Sequence, residues 1–240
     1  MTERLAKFMA RSGVCSRRQA EDFILQKRVT VNGEIIDTPA FNVNGDEKIL
    51  FDGEKLPAKE MSRMWLYYKP CGLVTSHKDD KDRDTVFANL PAGMPRVISV
   101  GRLDLNSEGL LLLTNNGELS RKLELPSNGW ARRYKVRVHG YVDPARLKDL
   151  AKGVTIEGIT YGPIKAEIES TQGTNSWLVV TLTEGKNREI RKVMKFIGLD
   201  VARLIRLSYG PFQLGSLRKG EVREIPAKVL REQLGNSFEL

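Results

Sequence analysis

Four consecutive leucines, Leu110 to Leu113, stand between a polar loop and the turn sequence Asn115-Asn116-Gly117. The run is too short for a helix of ordinary length and lacks the alternation of a strand with one wet face. It reads as a buried strand, which demands packed layers around it. A second buried strand, residues 96–100, precedes it across the loop. Further strands are expected at 65–68, 134–138, 164–168 and 177–183, and helices at 118–125, 144–151 and 188–197. Asp143 and Pro144 suit the start of the second helix, and Gly198 suits the end of the third. Strands and helices mix without regular βαβ alternation. An α+β fold with a mixed, largely antiparallel sheet follows.

The first sixty residues are built differently. Leu5, Phe8 and Met9 lie on one face of a helix, and Arg4, Lys7 and Arg11 form a basic stripe on another. Gly13 ends that helix. Ser16 opens a second one, with Gln19 completing a capping box and Arg17 and Arg18 in the first turn. Cations there oppose the helix dipole by about 0.3 kcal/mol each, and a phosphate at the helix end would reverse that sign. Residues 29–31 and 34–36 flank Asn32-Gly33, and residues 49–51 run into Asp52-Gly53, both turn signals. Pro57-Ala58-Lys59-Glu60 reads as a linker, which divides the chain into 1–60 and 61–240.

Charge narrows the class of partner. The net charge is +9, which suits a polyanion. Residues 1–28 hold seven Lys/Arg against three Asp/Glu, and residues 29–60 hold three against seven, so the excess lies beyond residue 60. Cys15, Cys71, His77 and His139 form no close pair, which argues against a zinc site or a disulfide framework. No apolar run approaches the roughly 20 residues that span a bilayer. The polar N-terminus lacks the apolar core of a signal peptide. A cytoplasmic monomer with no membrane partner is expected.

Residues 3–56 resemble an S4 RNA-binding domain: two helices carrying Ser16-Arg17-Arg18, then a small sheet with a Val31-Asn32-Gly33 turn. The resemblance implies RNA contacts at Arg4, Lys7, Arg11, Arg17 and Arg18. Asp104 lies on the loop before the leucines, where local pattern alone favours a turn aspartate bonding its own backbone. The longer run changes that reading. Gly101-Arg102-Leu103-Asp104, followed by Ser107-Glu108-Gly109 and the leucines, resembles the catalytic motif of pseudouridine synthases of the RsuA/RluB type. Three further blocks fit in order: Trp65 to Gly72 with Lys69-Pro70, Arg132 to Val136 with Tyr134, and Thr183 to Arg191.

That resemblance implies roles. Asp104 would be the nucleophile and Arg191 its charge partner, an arrangement that keeps a carboxylate ionised. Tyr134 would stack on the detached base and help remove the C5 proton. Arg102 would fill the place of an extruded base or contact a phosphate. Lys69 and Lys186 would contact phosphates, while Arg203 and Arg206 read as phosphate contacts or as a solvated strand face. Asn116 stands where the family often has Asp, and Glu189 where Gln or His is usual. The implied reaction turns uridine into pseudouridine in ribosomal RNA without cofactor or metal. The run Val201 to Gly210 looks closer to the branch acting on 23S large-subunit RNA than on 16S RNA. A non-catalytic RNA-binding or assembly factor is the alternative. A zinc deaminase lacks its His/Cys/Cys ligands here.

Overall fold

The computed structural model describes residues 2–58 and 61–235, so Lys59 and Glu60 of the expected linker lie outside the described residues. The N-terminal unit opens with α1 (Leu5–Arg11) and α2 (Arg17–Leu25). The expected capping box is present: Gln19 N–H donates to Ser16 Oγ at 3.1 Å, and Ser16 N–H to Gln19 Oε1 at 2.9 Å. Strands β1 (Val29–Val31), β2 (Glu34–Ile36), β3 (Ile49–Phe51) and β4 (Glu54–Lys55) form an antiparallel sheet in the order β2-β1-β3-β4. Asn32 and Gly33 have φ of 51° and 90°, the left-handed pair that a tight hairpin needs. Leu5, Met9, Ala20, Ile24, Val29 and Ile49 fill a small core of their own.

The basic stripe on α1 is corrected here. Lys7 pairs with Glu3 at 3.5 Å and also with Glu118 of the following domain, Arg11 pairs with Glu3, and Arg4 donates to the Ala40 carbonyl. The Glu3 carboxylate gathers two of the three charges, so Lys7 and Arg11 are partly spent on ion pairs, while Arg4 stays exposed. Arg17 and Arg18 are exposed and make no ion pair among the described residues.

The second unit is one large sheet with helices on both faces. Its strands are β5 (Met64–Lys69), β6 (Ile98–Val100), β7 (Glu108–Thr114), β8 (Arg132–His139), β9 (Ile164–Gln172), β10 (Asn175–Leu182), β11 (Asp200–Tyr209), β12 (Phe212–Gln213) and β13 (Val222–Glu224). The order is β9-β10-β8-β11-β7-β5-β13, with β6 beside β7 and β12 beside β11. All pairings in it are antiparallel except β11 with β7, which are parallel through Ile205↔Glu108 and Arg206↔Gly109. That short seam joins the two halves of the sheet.

The leucine run explains the layering. Side chains alternate along a strand, so Leu111 and Leu113 enter one core and Leu110 and Leu112 the other. On the first face Tyr67, Tyr134, Val136, Leu178 and Val180 pack with α4 (Pro144–Asp149) and α5 (Glu189–Phe196). On the second, Tyr209, Phe212 and Ile225 pack with α3 (Gly117–Glu124) and α6 (Ala227–Leu234). The sequence reading marked neither α6 nor the central place of β11. Its two arginines suggested a solvated face, yet Arg206 is buried with Nε donating to the Leu110 carbonyl at 2.7 Å. Arg203 pairs with the buried carboxylate of Glu108.

Candidate active site

Asp104 sits half-buried on the loop between β6 and β7, and the loop is held by its main chain. Thr75 Oγ1 donates to the Leu103 carbonyl at 2.8 Å, and Gly72 N–H to the Leu105 carbonyl at 2.8 Å. The Asp104 carbonyl accepts from Ser107 N–H at 3.0 Å and from Lys69 Nζ at 3.1 Å. Arg191 Nη2 reaches the Asn106 carbonyl at 2.8 Å, and Lys69 Nζ the Ser107 carbonyl at 2.9 Å. Five successive carbonyls thus each have a donor. The loop is fixed before any substrate arrives, which is what a positioned catalytic group requires.

Lys69 is therefore corrected from a phosphate contact to a buried clamp. Its side chain is fully buried, and its three ammonium protons meet the carbonyls of Pro70, Asp104 and Ser107. Burial pushes its amine down to about 8, against the raising influence of Cys71, Asp104 and Glu108, and it stays mostly charged at neutral pH. The sequence carried a signal for this: period two along β5 puts Lys69 on the same side as the buried Trp65 and Tyr67.

Arg191 needs a finer correction. It makes no ion pair with Asp104 in this structure; Nη1 donates to the Val201 carbonyl at 3.1 Å and Nη2 to Asn106. Burial pushes its guanidinium down and Arg188 adds to that, while Asp104 and Cys71 pull it back up, so the two charges still feel each other. Nε of Arg191 and Oγ of Ser107 are buried with no hydrogen-bond partner, which leaves two donors beside the loop.

Tyr134 lies on β8, facing the same core as Leu103 and Leu73. A register shift falls between Arg133 and Tyr134 against β11, and such bulges re-aim a side chain. Tyr134 is 8% exposed, with its ring packed in that core. Arg102 is exposed two residues from Asp104. Lys186 is exposed and paired with Glu184, with its ammonium 5.8 Å from the Tyr161 ring centroid. Sequence reasoning missed Thr75 and Glu108. Glu108 accepts from Lys219 Nζ at 2.9 Å and from the Tyr68 hydroxyl at 3.3 Å, besides Arg203. Burial raises its carboxyl, but the bonds and charges of Arg203 and Lys219 hold it below the usual value. A cavity of about 390 Å³ lies elsewhere, between α4 and β9, and is lined by Pro144, Leu147, Ile164 and Ile168.

Glu189 is an acid held toward its neutral form by burial. It is buried, its Oε2 accepts from Lys186 N–H at 2.8 Å, and its Oε1 has no partner. Burial pushes the carboxyl up; Lys186 N–H opposes, the Glu184 carboxylate adds, and the Lys186 and Arg132 charges oppose. A protonated Glu has the shape of Gln. An acid raised in the folded state stabilises below its unfolded pKa and loses that contribution as pH rises through the folded value. Glu189→Gln is accordingly expected to match the parent in thermal midpoint at about pH 4, and to exceed it increasingly as pH rises above that. A pH-independent difference in melting would mean that Glu189 carries its charge throughout.

Comparison with known proteins supplies the family. A family model described as RNA pseudouridylate synthase matches residues 63–196, and an S4 domain model matches residues 3–49. The chain is 51% identical over 229 residues to an uncharacterized RNA pseudouridine synthase of Rickettsia bellii, covering 95% of this chain and 99% of that one. It is 42% identical over 220 residues to ribosomal large subunit pseudouridine synthase B of Escherichia coli, covering 89% of this chain and 76% of that one. A crystal structure of a pseudouridylate synthase aligns with a TM-score of 0.66 at 28% identity, covering 97% of this chain and 99% of the other. With Asp104 on a clamped loop that Arg191 helps to hold, and an S4 domain ahead of it, the chain belongs to the RNA pseudouridylate synthase family, in its RsuA/RluB branch.

Proposed function

We propose that this enzyme isomerises a uridine of 23S large-subunit ribosomal RNA, with Asp104 as covalent nucleophile and no cofactor. The fixed loop at residues 103–107 carries the mechanistic part of this reading. Its donors grip the main chain and leave the Asp104 side chain free to react. The reaction breaks C1′–N1, turns the base and forms C1′–C5, and the C5 proton then leaves. An ionised carboxylate can carry the sugar–base unit through that exchange. The cationic groups of Arg191 and Lys69 stand against the main chain of the same loop. Tyr134 would stack its ring on the detached base and help remove the C5 proton through its hydroxyl. The target must leave its stack to reach the loop, and Arg102, exposed two residues from Asp104, is the side chain proposed to fill the vacated space.

The large-subunit assignment rests on the relative named for that subunit. The enzyme is proposed to work as a cytoplasmic monomer on ribosomal RNA or an assembling subunit, with residues 1–60 as anchor and 61–240 as catalyst. Carbodiimide-dependent reverse-transcription stops on unmodified 23S and 16S RNA, after incubation with the protein, test this directly. A new stop in 23S supports the assignment. A stop in 16S alone redirects it, and none in either removes it.

Arg17 and Arg18 give a separate test of the anchor. Reversing both to Glu is expected to weaken RNA binding and to flatten its salt dependence by about 1.4, at about 0.7 per phosphate contact on single strands. The single-turnover rate at saturating RNA should survive, because the catalytic loop is untouched. An unchanged salt slope would take the anchor role away from these two residues.

A further inference from the structure

The face of the large sheet opposite Tyr134 is only partly covered. α3, α6 and the chain around Phe212 pack on β5, β7 and the end of β11. Over β8, β10 and β9 the same face is open: Arg133, Arg137, Lys165 and Glu167 are exposed, and Trp177, Val179 and Thr181 are half-buried. An antiparallel sheet with one wet face is ordinary. The side chains standing on this one are informative.

Alternation along β8 sets Arg133, Lys135 and Arg137 in a column, with Tyr134, Val136 and Val138 pointing the other way. Trp177 lies opposite Arg137 on β10, and Arg203 opposite Arg137 on β11. Lys135 Nζ is 5.2 Å and the Arg203 guanidinium 5.9 Å from the Trp177 ring centroid. Carboxylates answer some of these charges, since Lys135 pairs with Glu169 and Arg203 and Lys219 with Glu108. Arg133 and Arg137 have no ion-pair partner among the described residues. Like charges directly opposite each other destabilise a sheet. Glu108 answers the charge of Arg203, so Arg137 is the member of this opposed pair that is left without a carboxylate.

We infer that this reverse face is a second RNA-binding surface, where the column Arg133–Arg137 follows a phosphate backbone and Trp177 meets a base. Guanidinium forks match phosphate oxygens in pairs, and an aromatic ring among cations is the arrangement that holds single-stranded nucleic acid without reading its sequence. Alternate residues on a strand are about 6.8 Å apart, so the column is about 14 Å long. That length suits about four stacked nucleotides. The face lies across the sheet from Tyr134, so the segment bound here is a different part of the RNA from the one carrying the target uridine. The inference rests on the RNA substrate and not on which uridine is modified.

The test reverses both free arginines, Arg133→Glu with Arg137→Glu, beside a charge-matched control, Lys148→Glu with Lys152→Glu, on the opposite face. Two RNAs are used: full-length 23S RNA and the shortest fragment that the parent enzyme still modifies. On 23S RNA the arginine variant is expected to bind about tenfold more weakly near physiological salt, with a salt slope smaller by about 1.4. On the short fragment its affinity and single-turnover rate should equal the parent's, and the control should follow the parent on both. An unchanged slope on 23S RNA would overturn the inference, including the case in which the face binds an acidic protein. So would an equal loss in the control, which indicates a diffuse field, or a lost rate on the short fragment, which would put Arg133 in the catalytic cleft. The slope is read without turnover, so a failure of the 23S assignment would show instead as no product from the parent enzyme.

Discussion

Asp104→Asn is expected to lower the single-turnover rate by about 10⁴-fold or more, the scale seen when a nucleophile is removed, with RNA affinity nearly unchanged. The isolation of that effect comes from how the loop is held. Thr75, Gly72, Lys69 and Arg191 all grip main-chain carbonyls, and none of these bonds involves the Asp104 carboxylate. An amide of nearly the same shape therefore leaves the clamp intact while removing the charge that attacks. Melting temperature and RNA binding are the controls, and both should match the parent. Turnover near the parent rate would remove Asp104 from the chemistry. A fall in affinity as large as the fall in rate would make it a binding group.

Gly109→Ala is expected to produce the largest loss of stability, about 3 kcal/mol or more. Gly109 has φ of 104°, and a Cβ there would lie 2.4 Å from the Arg206 carbonyl oxygen and 2.6 Å from its nitrogen. These are backbone atoms of the parallel seam between β7 and β11, and they cannot swing aside. Relieving the clash means parting that seam, which joins the two halves of the sheet immediately after the Asp104 loop. Activity should fall with stability, because Lys69 lies opposite Gly109 on β5. Gly129→Ala is the matched control: its φ is 59°, but nothing lies within 4 Å of the new methyl. It should lose about 1 kcal/mol from backbone strain alone. Urea midpoints of the two variants decide the matter, and equal losses would show that the seam tolerates a methyl.

Much of the architecture was legible along the chain because it depends on neighbours. The leucine run, the Ser16 capping box and the Asn32-Gly33 turn all appear where residue type and spacing put them. The expected strands are present, most of them a residue or more longer, because hydrogen-bonding partners extend pairing past the apolar stretch that marks each one. Asp104 was legible as a loop carboxylate, and its catalytic reading came from the motif around it. The cations were where the reading went astray. Lys69, Arg206, Lys7 and Arg11 were read as solvent-facing or RNA-facing, because a charged residue costs too much to bury without a partner. Each has one, and several of those partners lie far away in sequence: Lys69 at residues 104 and 107, Arg206 at Leu110, Lys7 at Glu118.

Local periodicity, turn chemistry and motif order thus carry the fold class, the two-part organisation and the family, since each helix, turn and motif block is written in a short contiguous stretch of chain. The working site is a matter of long-range geometry. Which carbonyls Lys69 and Arg191 hold, and that Arg191 meets the Asn106 carbonyl instead of the Asp104 carboxylate, depends on β5, α5 and the 103–107 loop converging. A lysine beside a proline looks the same in sequence whether it faces water or three buried carbonyls. Only the packing around it supplies the acceptors and removes the water, and that difference in environment turns a surface charge into a clamp.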